Sequence, residues 1–526
     1  MVNKRFNVKG VCVPANNYMV DITSRLEKMK ALIERREYFV INRGRQYGKT
    51  TTLAALENYL ATTDYTVILL NFQRLGDKSF STEDEFCYMF LKAIKRDLRF
   101  STIPKAEQES WLDKNVTSFD LLSDHLTNMC EKRKFVLMID EVDSASNHRI
   151  FLKFLGMLRA KYQARNIGKD FTFHSIILAG VYDIKNIKLK IVQDGKLTLA
   201  EGEKIADSPW NIAEHFAEDM SFSSADIAGM LTDYEADHQT GMNIAEIAEE
   251  IYSYTSGYPF LVCQICQSID EKLDKNWTKT SVSKAVTLMT EASQPNTLFD
   301  DLFKNLRNHQ KLADFLYKLL MTGKTYKFSQ GDELIEQALR YAFIRNVGRD
   351  IFIHNKIFEI IMTDYFITKE QHEEKKFITN ALEVEVVNGE QFDIERFFEK
   401  FNAHYQRHYS EKTVDFLERE VAFCFLCFLQ PYLNGKGAYY LKSKPNLATG
   451  KRMDVVISYG EQEFIVELKI WRGKAYQQNA HLQLTDYVKK RGAKAGYLLI
   501  FDFRQKKEIK KGWIKVHNVD VLEIQI

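Results

Sequence analysis

The chain has 526 residues, enough for about three or four domains that each bury a core. It carries 73 Lys and Arg residues against 71 Asp and Glu residues, so bulk charge does not indicate a nucleic-acid-binding protein, and any such contact must come from a local patch. No run of about eighteen uncharged apolar residues is present, and the first residues lack the apolar segment of a secretory signal, so we expect a cytoplasmic protein without membrane contact.

An apolar strand, a glycine-containing loop and a helix are predicted in succession over residues 38–52. Backbone N–H groups of such a loop converge on one point, where the helix dipole also favours negative charge. We predict that Lys49 reaches the β and γ phosphates of ATP and that Thr50 binds Mg²⁺. Arg43 stands where the usual pattern has glycine, and we expect Gly44 to make that turn. The predicted nucleotide-binding residues are Gly44, Arg45, Gln46, Tyr47, Gly48, Lys49, Thr50, Thr51 and Asp140.

A second strand, at residues 134–140, runs through five apolar residues and ends in two acids. This pattern is typical of a buried parallel strand that delivers carboxylates to its C-terminal edge. We expect Asp140 to bind Mg²⁺ through water and Glu141 to orient or deprotonate the attacking water. The alternative is a core strand with a solvated acidic end, and the loop upstream favours the catalytic interpretation. Strands at 65–71 and 173–180, alternating with helices at 83–98, 118–132 and 149–164, predict a parallel sheet.

Residues near the fourth strand could contribute to the same site. Asp183 or Ser175 could sense the γ phosphate of ATP, although neither is the commoner Asn or Thr. Arg159 and Arg165 could act as arginine fingers between subunits if the protein is a homo-oligomer. The alternative is that both are surface arginines of an amphipathic helix. Neither arginine is therefore assigned to the site.

From about residue 208 the pattern becomes helical, and Ser256-Gly-Tyr-Pro259 marks a corner between two helices. This region is predicted to be a helical lid. The loop at 43–51, Asp140-Glu141, Ser208-Pro-Trp-Asn211 and Ser256-Gly-Tyr-Pro259 together resemble the AAA-like ATPases of bacteria and archaea that are related to the STAND NTPases. The resemblance covers about residues 10–370 and implies ATP and Mg²⁺ as cofactors.

Helices followed by a glycine-containing hairpin predict a winged helix at residues 301–371. In similar ATPases this module contacts the nucleotide domain more often than DNA. The predicted organisation is an α/β multidomain chain: a P-loop ATPase domain with a parallel sheet, a helical lid, the winged helix, a charged linker and a C-terminal domain. The boundaries are 1–205, 206–300, 301–371, 372–394 and 395–526.

The C-terminal region carries a second set of charged residues on predicted strands. Glu467 and Lys469 are two apart on one strand, so their side chains leave the same face, and Asp454 enters the adjacent hairpin strand. Such a pair within apolar sequence is costly to bury unless it binds something. The region therefore predicts a polar site on a buried sheet.

Asp454 and Glu467-Leu-Lys469, with a preceding glutamate-bearing helix, resemble the PD-(D/E)xK nuclease superfamily, whose core is a mixed sheet flanked by helices. Gln483 and Tyr487 match the Gln-containing helix of its Holliday-junction-resolvase-like branches. The resemblance implies Mg²⁺ at Asp454, Glu467 and Glu420, with Glu418 the rival helix ligand, and a water positioned or activated by Lys469. The alternative is a salt-bridged strand pair in a binding domain.

Basic residues cluster around a late strand at 497–501 and predict binding to phosphate backbones. They are Lys489, Lys490, Arg491, Lys494, Arg504, Lys506, Lys507, Lys510, Lys511 and Lys515. The favoured function is an ATPase coupled to a metal-dependent nuclease acting on nucleic acid, with DNA expected and RNA not excluded. The alternative is a nucleotide-driven switch whose C-terminal domain binds a partner without cleaving.

Seven cysteines form no disulfide framework. The pairs Cys263/Cys266 and Cys424/Cys427 have Cys-x-x-Cys spacing but lie in apolar helical sequence, so we expect core cysteines. A zinc site formed by all four is the alternative.

Overall fold

The computed structural model describes residues 4–101, 103–145, 148–181, 210–216, 218–290, 296–321, 326–329, 331–373, 386–388, 391–409, 425–426, 428–429, 432–433, 437–443, 453–471, 473–502 and 511–526. The chain divides into two compact units. Unit 1 comprises Met1–Ile244, Gly257–Gln267 and Arg340–Ala342, and unit 2 comprises Ala245–Ser256, Ser268–Leu339 and Phe343–Ile526.

Unit 1 is built on a five-stranded sheet in the order β2-β3-β4-β1-β5, with parallel pairing throughout. The strands are β1 (Phe39–Asn42), β2 (Tyr65–Asn71), β3 (Lys134–Asp140), β4 (Ser175–Gly180) and β5 (Glu214–His215). Apolar runs bury β3 and β4 on both faces, as a parallel sheet covered by helices requires. The predicted parallel sheet is confirmed. The two-residue strand β5 was not predicted, and it lies in the segment expected to be helical.

In the described part of unit 1, six helices precede or connect these strands. They are α1 (Thr23–Glu34), α2 (Lys49–Leu60), α3 (Glu83–Asp97), α4 (Lys105–Ser110), α5 (Phe119–Glu131) and α6 (Arg149–Asn166). Thr82 and Ser118 cap α3 and α5 by accepting backbone N–H bonds. The ring centroids of Phe86 and Phe90 on α3 each lie 4.9 Å from that of Phe154 on α6. This aromatic cluster fixes the helices on one side of the sheet.

The predicted lid contains α7 (Ser224–His238), α8 (Ile244–Thr255), α9 (Pro259–Lys272) and α10 (Lys279–Thr290). Helix α7 begins with a capping box, in which Ser223 and Asp226 exchange side-chain to backbone hydrogen bonds. The corner between α8 and α9 is made by Gly257, at φ 73°. The predicted end of one helix before Gly257 and start of the next at Pro259 are both observed.

We expect Gly257→Ala to destabilise unit 1 strongly. A Cβ at position 257 would lie 1.8 Å from the Phe222 carbonyl oxygen, and the Phe222 N–H also donates to the Gly257 carbonyl oxygen at 2.8 Å. An alanine in the left-handed conformation lowers the free energy of unfolding by about 1–2 kcal/mol. Displacement of the hydrogen-bonded backbone of Phe222 and Gly257 adds to this, for a total of about 3 kcal/mol or more. Gly241→Ala is the matched control, because Gly241 has φ 76° with nothing near its Cβ position. Thermal unfolding of both variants measures the difference, and equal melting temperatures would contradict the contact.

In unit 2, helices α11 (Thr297–Asn308), α12 (Gln310–Met321), α13 (Glu333–Arg340) and α14 (Lys356–Glu373) accompany a small antiparallel sheet. Its order is β6-β8-β7, with β6 (Tyr326–Lys327), β7 (Ile344–Val347) and β8 (Asp350–Ile353). The turn between β7 and β8 contains Gly348 at φ 65°. The hairpin predicted from the glycine-containing turn is present. The short strands β9 (Val387–Asn388) and β10 (Gln391–Phe392) follow, within the segment predicted as a linker.

The C-terminal part of unit 2 is a six-stranded mixed sheet in the order β11-β12-β13-β14-β16-β15. Its strands are β11 (Gly437–Ser443), β12 (Met453–Tyr459), β13 (Gln462–Ile470), β14 (Ala495–Phe501), β15 (Lys511–Val516) and β16 (Val519–Gln525), and its helices are α15 (Ile394–Tyr409) and α16 (Lys474–Arg491). Phe398 of α15 lies 5.7 Å from Tyr497, whereas Leu484 of α16 lies against Gly496. Because Tyr497 and Gly496 are adjacent on one strand, the two helices cover opposite faces.

No helix in the described part of the chain combines the length and apolar character that a membrane span requires. The described cysteines Cys12, Cys87, Cys130, Cys263 and Cys266 form no disulfide with one another. Burial raises the pKa of the Cys263 thiol to about 12, so this thiol is poorly suited to metal binding without a strong driving force. Cys424 and Cys427 lie outside the described residues.

Candidate functional site

The loop between β1 and α2 contains the predicted phosphate-binding residues. Gln46 has φ 55° and Gly48 has φ 80°, so both adopt the left-handed conformation, and Gly48 is the N-cap of α2. Gly44 does not have a positive φ, and the prediction that Gly44 makes the turn is wrong. Gly44 is required for a different reason. A Cβ there would lie 3.0 Å from both the Tyr341 carbonyl oxygen and the Ala342 Cβ.

Segment Arg340–Ala342, which follows α13, therefore packs against the loop and belongs to the same compact unit. The Arg43 guanidinium, in place of the usual glycine, donates to the carbonyl oxygens of Asn42 at 2.8 Å and Glu218 at 2.6 Å. These hydrogen bonds attach the start of the loop to the end of β1 and to the segment that contains Glu218.

Lys49 is 7% exposed, and its ammonium donates to the carbonyl oxygens of Arg43 and Gly44, both at 2.9 Å. Burial lowers the pKa of Lys49, while the carboxylates of Asp143, Glu141 and Asp140 oppose that shift. The loop thus holds the Lys49 ammonium against its own backbone, next to the N–H groups of the first turn of α2.

Thr50 and Asp140 meet directly. The Thr50 hydroxyl donates to Asp140 Oδ2 at 2.6 Å, and the Glu141 N–H donates to Asp140 Oδ1 at 2.9 Å. The parallel register places Asp140 beside Asn71 at the carboxyl end of the sheet. A hydroxyl and a carboxylate oxygen in contact are the donor types that Mg²⁺ takes from a protein beside a phosphate.

Glu141 follows β3 in the left-handed conformation, with φ 54°. A non-glycine residue in this region is uncommon and costs free energy, which directs attention to its function. Burial, followed by the neighbouring Asp140 carboxylate, raises the pKa of Glu141, and Lys49 opposes the shift. A carboxylate with a raised pKa is better matched to accepting a proton near neutral pH.

Asp143 is a third carboxylate in this region that the sequence interpretation did not assign. Its Oδ2 accepts the Val181 N–H at 2.6 Å, and both oxygens lie close to Gly180 at the end of β4. Among the acids that influence Lys49, Asp143 has the largest effect. The sequence could have indicated Asp143, because it lies two residues after Glu141 in the same acidic segment.

The sensor hypothesis for Ser175 is wrong. Its hydroxyl donates to the Glu37 carbonyl oxygen at 2.6 Å, at the start of β4. The loop and Asp140 lie at the opposite, carboxyl end, which is about 16 Å away over five residues of strand. Asp183 lies outside the described residues.

The two candidate arginine fingers differ in their surroundings. The Arg165 guanidinium donates to the carbonyl oxygens of Phe173, His174 and Arg36, at 2.8–2.9 Å. It is thus occupied at the far end of the sheet, and the finger hypothesis for Arg165 is wrong. Arg159 is half-buried on α6, and its finger role stays a prediction.

Aromatic residues brace the loop from the lid side. The Tyr258 hydroxyl donates to the Arg45 carbonyl oxygen at 2.5 Å, and its ring lies 4.6 Å from that of Tyr47. The Tyr47 hydroxyl in turn shares a hydrogen bond of 2.5 Å with Ser221. On the other side, Thr51 Oγ1 accepts the Cys12 N–H at 3.2 Å. Tyr47 and Thr51 thus support the shape of the loop.

The second candidate site lies on β13 of the mixed sheet. Glu467 and Lys469 are 2% and 3% exposed, and Lys469 Nζ lies 3.0 Å from Glu467 Oε1. The two atoms lie at ion-pair distance but lack the angles of a hydrogen bond, and neither has a hydrogen-bond partner among the described residues. A buried ion pair with poor hydrogen bonding is a weak stabiliser of a fold. Its presence on a central strand favours a role in binding.

Backbone register brings Asp454 to this pair, because Asp454 of β12 lies directly opposite Glu467. The side chain of Asp454 is not described, and Glu418 and Glu420 lie outside the described residues. Within the described part of the chain, no group of three or more His, Cys, Asp or Glu side chains is arranged to hold a metal ion. The predicted ligand set therefore stays a prediction.

Helix α16 covers the sheet face that carries this pair. Glu523 lies in the same cross-strand row as Glu467, and it accepts hydrogen bonds from Gln477 at 2.6 Å and His481 at 2.5 Å on α16. Gln483 Oε1 is buried without a hydrogen-bond partner. Tyr487 is buried one turn later. The predicted helix containing Gln483 and Tyr487 is thus present, as part of α16.

The C-terminal basic patch is partly neutralised. Lys490 pairs with Asp486 at 2.8 Å, and Lys511 pairs with Glu399 at 2.7 Å. Arg491 lies 3.5 Å from Glu250 and 3.4 Å from Glu463. Lys515 lies 4.0 Å from Asp520, and Arg504, Lys506, Lys507 and Lys510 are outside the described residues. The described part of this patch offers less free positive charge than the sequence indicated.

The parallel sheet, the loop after β1 and the acidic end of β3 together define a P-loop nucleotide-binding domain. A profile of the family described as AAA-like domain matches residues 16–339, which is more than half of the chain. The chain belongs to this family of AAA-like P-loop ATPase domains. A comparison with curated proteins gave no match.

Several solved structures are similar to the chain at low sequence identity. A Walker-type ATPase of Pyrococcus abyssi has 14% identity and a TM-score of 0.47, over 68% of this chain and 99% of that chain. The ORC2 protein of Aeropyrum pernix, in ADPNP and ADP complexes, has 12% identity and a TM-score of 0.37, over 69% and 98%. The RuvB Holliday junction branch migration motor of Thermotoga maritima has 12% identity and a TM-score of 0.32, over 64% and 92%.

Proposed function

We propose that this chain binds and hydrolyses ATP and that it couples the nucleotide state to a metal-dependent nuclease in its C-terminal domain. Family membership and the contact between Thr50 and Asp140 support the ATPase half. The buried Glu467 and Lys469 pair on a central strand, with Asp454 opposite, carries the nuclease half.

In the ATPase site, Lys49 would exchange its two carbonyl contacts for the β and γ phosphates of ATP. Thr50 and Asp140 would hold Mg²⁺, whose charge neutralises the phosphates when it is bound. Glu141 would orient the attacking water and accept its proton, because its carboxylate has a raised pKa and is half-buried. Gly44, Arg45, Gln46, Tyr47, Gly48 and Thr51 would form or support the phosphate-binding loop.

In the nuclease site, Asp454, Glu467 and Glu420 would hold one or two Mg²⁺ ions, with Glu418 as the rival to Glu420. A set of carboxylate oxygens suits a hard cation, and Glu467 Oε1 has no hydrogen-bond partner among the described residues, so a metal there would compete with the Lys469 ion pair. When bound, the metal stabilises charge on the phosphate and activates water. Lys469 would orient the attacking water or hold its charge, because its ammonium is buried beside Glu467.

The proposed domains follow the predicted boundaries, with residues 301–371 as a winged-helix-like module. The helices α12, α13 and α14 and the β7–β8 hairpin support that module. Its neighbour segment Arg340–Ala342 lies at the phosphate loop, which favours a role in sensing the nucleotide over binding DNA. The proposed substrate is nucleic acid, with DNA preferred, and a homo-oligomer is compatible with Arg159 acting between subunits.

The second candidate function is a nucleotide-driven switch whose C-terminal domain binds a partner without cleavage. The observation that favours it is the described Glu467 and Lys469 ion pair, which needs no metal. Incubating the purified chain with single-stranded and double-stranded DNA and with RNA, with or without ATP and with Mg²⁺, Mn²⁺ or EDTA, separates the two functions. We expect cleavage only with a divalent metal. ATP turnover without cleavage of any substrate would support the switch.

A further inference from the structure

The ATPase unit contains a basic cleft on the sheet edge formed by β2, outside the nucleotide site. The cleft has a volume of about 550 Å³ and is lined by segments after β2, along α3 and along α4. Its cations are Arg74, Lys92, Lys95, Arg96, Arg99 and Lys105, and its lining contains a single carboxylate, that of Glu109. A cleft with six cations and one acid has a strongly positive potential.

These cations are not satisfied by acids elsewhere in the described part of the chain. None of the six takes part in an ion pair within 4.0 Å, although Arg96 and Arg74 influence the half-buried Asp97 at longer range. Lys92 instead lies 5.5 Å from the centre of the Tyr88 ring. Charges of one sign that are gathered without partners repel each other, so an external polyanion would stabilise them.

The arrangement of the cations is linear. Lys92, Lys95, Arg96 and Arg99 repeat at helical spacing and so follow one face of α3 and the turn after it. The stripe is about 10 Å long at the helical rise of 1.5 Å per residue. Along the axis of a DNA duplex each strand presents a phosphate about every 3.4 Å, so a stripe aligned with that axis spans about three phosphates of one strand.

Helix electrostatics alone do not explain the cluster. Cations near the C-terminus of α3 complement its dipole, but Arg74 and Lys105 come from other segments and face the same cleft. The floor between them is apolar, with Leu75, Met89 and Leu112. Such a floor can contact sugars or base faces while the rim binds phosphates.

We propose that this cleft binds the phosphodiester backbone of a nucleic acid. The proposed function places nucleic acid only at the C-terminal domain, so this is a second contact, on the ATPase unit. It would tether the substrate to the domain that turns over ATP. The contrast with the C-terminal patch supports it, because several described cations there are already paired with acids, whereas those of the cleft are not.

The test compares two sets of substitutions with equal loss of charge. The cleft variant replaces Lys92, Lys95, Arg96 and Arg99 by Gln. The control variant replaces four exposed lysines of the same unit by Gln: Lys78, Lys114, Lys132 and Lys169. Binding of fluorescent DNA and RNA oligonucleotides of about 20 nucleotides is measured by anisotropy over a range of salt concentrations. EDTA is present and ATP is absent, so neither cleavage nor nucleotide turnover contributes.

We expect the cleft variant to bind at least about tenfold more weakly, with a salt slope smaller by about three, and the control to change by less than about threefold. Glu109→Gln should tighten binding by about twofold or more, because it removes the acid from the lining. A gain of affinity cannot result from misfolding. Equal losses in both charge-matched variants would overturn the proposal. It would also be overturned if polyglutamate bound to the cleft but neither the DNA nor the RNA oligonucleotide did. If the unmutated chain cleaves no substrate but the cleft variant still binds more weakly than the control, the result counts against the nuclease assignment alone.

Discussion

Lys49→Ala should abolish ATP hydrolysis, with a loss of at least about 100-fold in turnover, and should weaken ATP binding. The Lys49 ammonium is already buried and held by the carbonyl oxygens of Arg43 and Gly44. It therefore needs little reorganisation to move to the phosphates. Removing it leaves negative charge developing on the γ phosphate next to the carboxylates of Asp140, Glu141 and Asp143.

Glu141→Gln is the matched comparison within the same site. It preserves size and hydrogen-bonding capacity but removes the proton acceptor, so binding should persist while turnover falls by about 100-fold or more. Nucleotide affinity from calorimetry and phosphate release from a coupled assay give both quantities. Normal hydrolysis by a folded Lys49→Ala protein would contradict the phosphate-loop assignment. Equal loss of binding in Glu141→Gln would contradict its assignment as the base.

Glu467→Gln, Asp454→Asn and Lys469→Met should each eliminate metal-dependent cleavage while ATP hydrolysis stays within about twofold of the unmutated rate. In the proposed nuclease site, Asp454 and Glu467 would supply the anionic oxygens that hold a hard cation, so losing one would weaken metal binding. Lys469 would act after the metal and substrate are bound. Its loss should therefore reduce cleavage more than affinity for nucleic acid.

Stability separates a catalytic pair from a structural one. The Glu467 and Lys469 ion pair is buried and poorly hydrogen-bonded. Replacing both partners, as Glu467→Leu with Lys469→Met, should cost little stability or increase it, yet remove cleavage. Thermal unfolding and cleavage are measured on the same preparations. A double variant that loses stability while the single variants still cleave would favour the salt-bridged binding domain.

Regular, strongly patterned elements were predictable from the sequence. Helix α6 was predicted over 149–164 and occupies Arg149–Asn166, and β2 occupies the predicted residues. Strand β15 was missed, because its sequence is rich in lysine and its side chains are mostly exposed. Its strand conformation comes from pairing with β16, and the residues of β15 themselves do not indicate that pairing.

Long-range contacts account for most of what the sequence could not show at the sites. The Tyr258 hydroxyl bonds the Arg45 carbonyl oxygen across 213 residues, and the Tyr341 carbonyl oxygen approaches Gly44. Neither contact can be predicted from the hydrophobic periodicity of the sequence. The register of β12 and β13 was suggested by sequence, because a hairpin between two apolar strands places Asp454 near Glu467. The sequence did not indicate which basic residues form ion pairs, because their acidic partners lie on other elements.

The most direct test of the proposed second active site is a Mn²⁺ titration of the protein without added nucleotide, monitored by electron paramagnetic resonance. Mn²⁺ takes the same oxygen ligands as Mg²⁺. We expect at least one bound ion that Glu467→Gln removes and Lys49→Ala leaves in place, because the ligands lie on the mixed sheet and not in the phosphate loop. Identical Mn²⁺ binding by the unmutated and Glu467→Gln proteins would contradict a metal centre at Glu467, and the C-terminal domain would then be a partner-binding module.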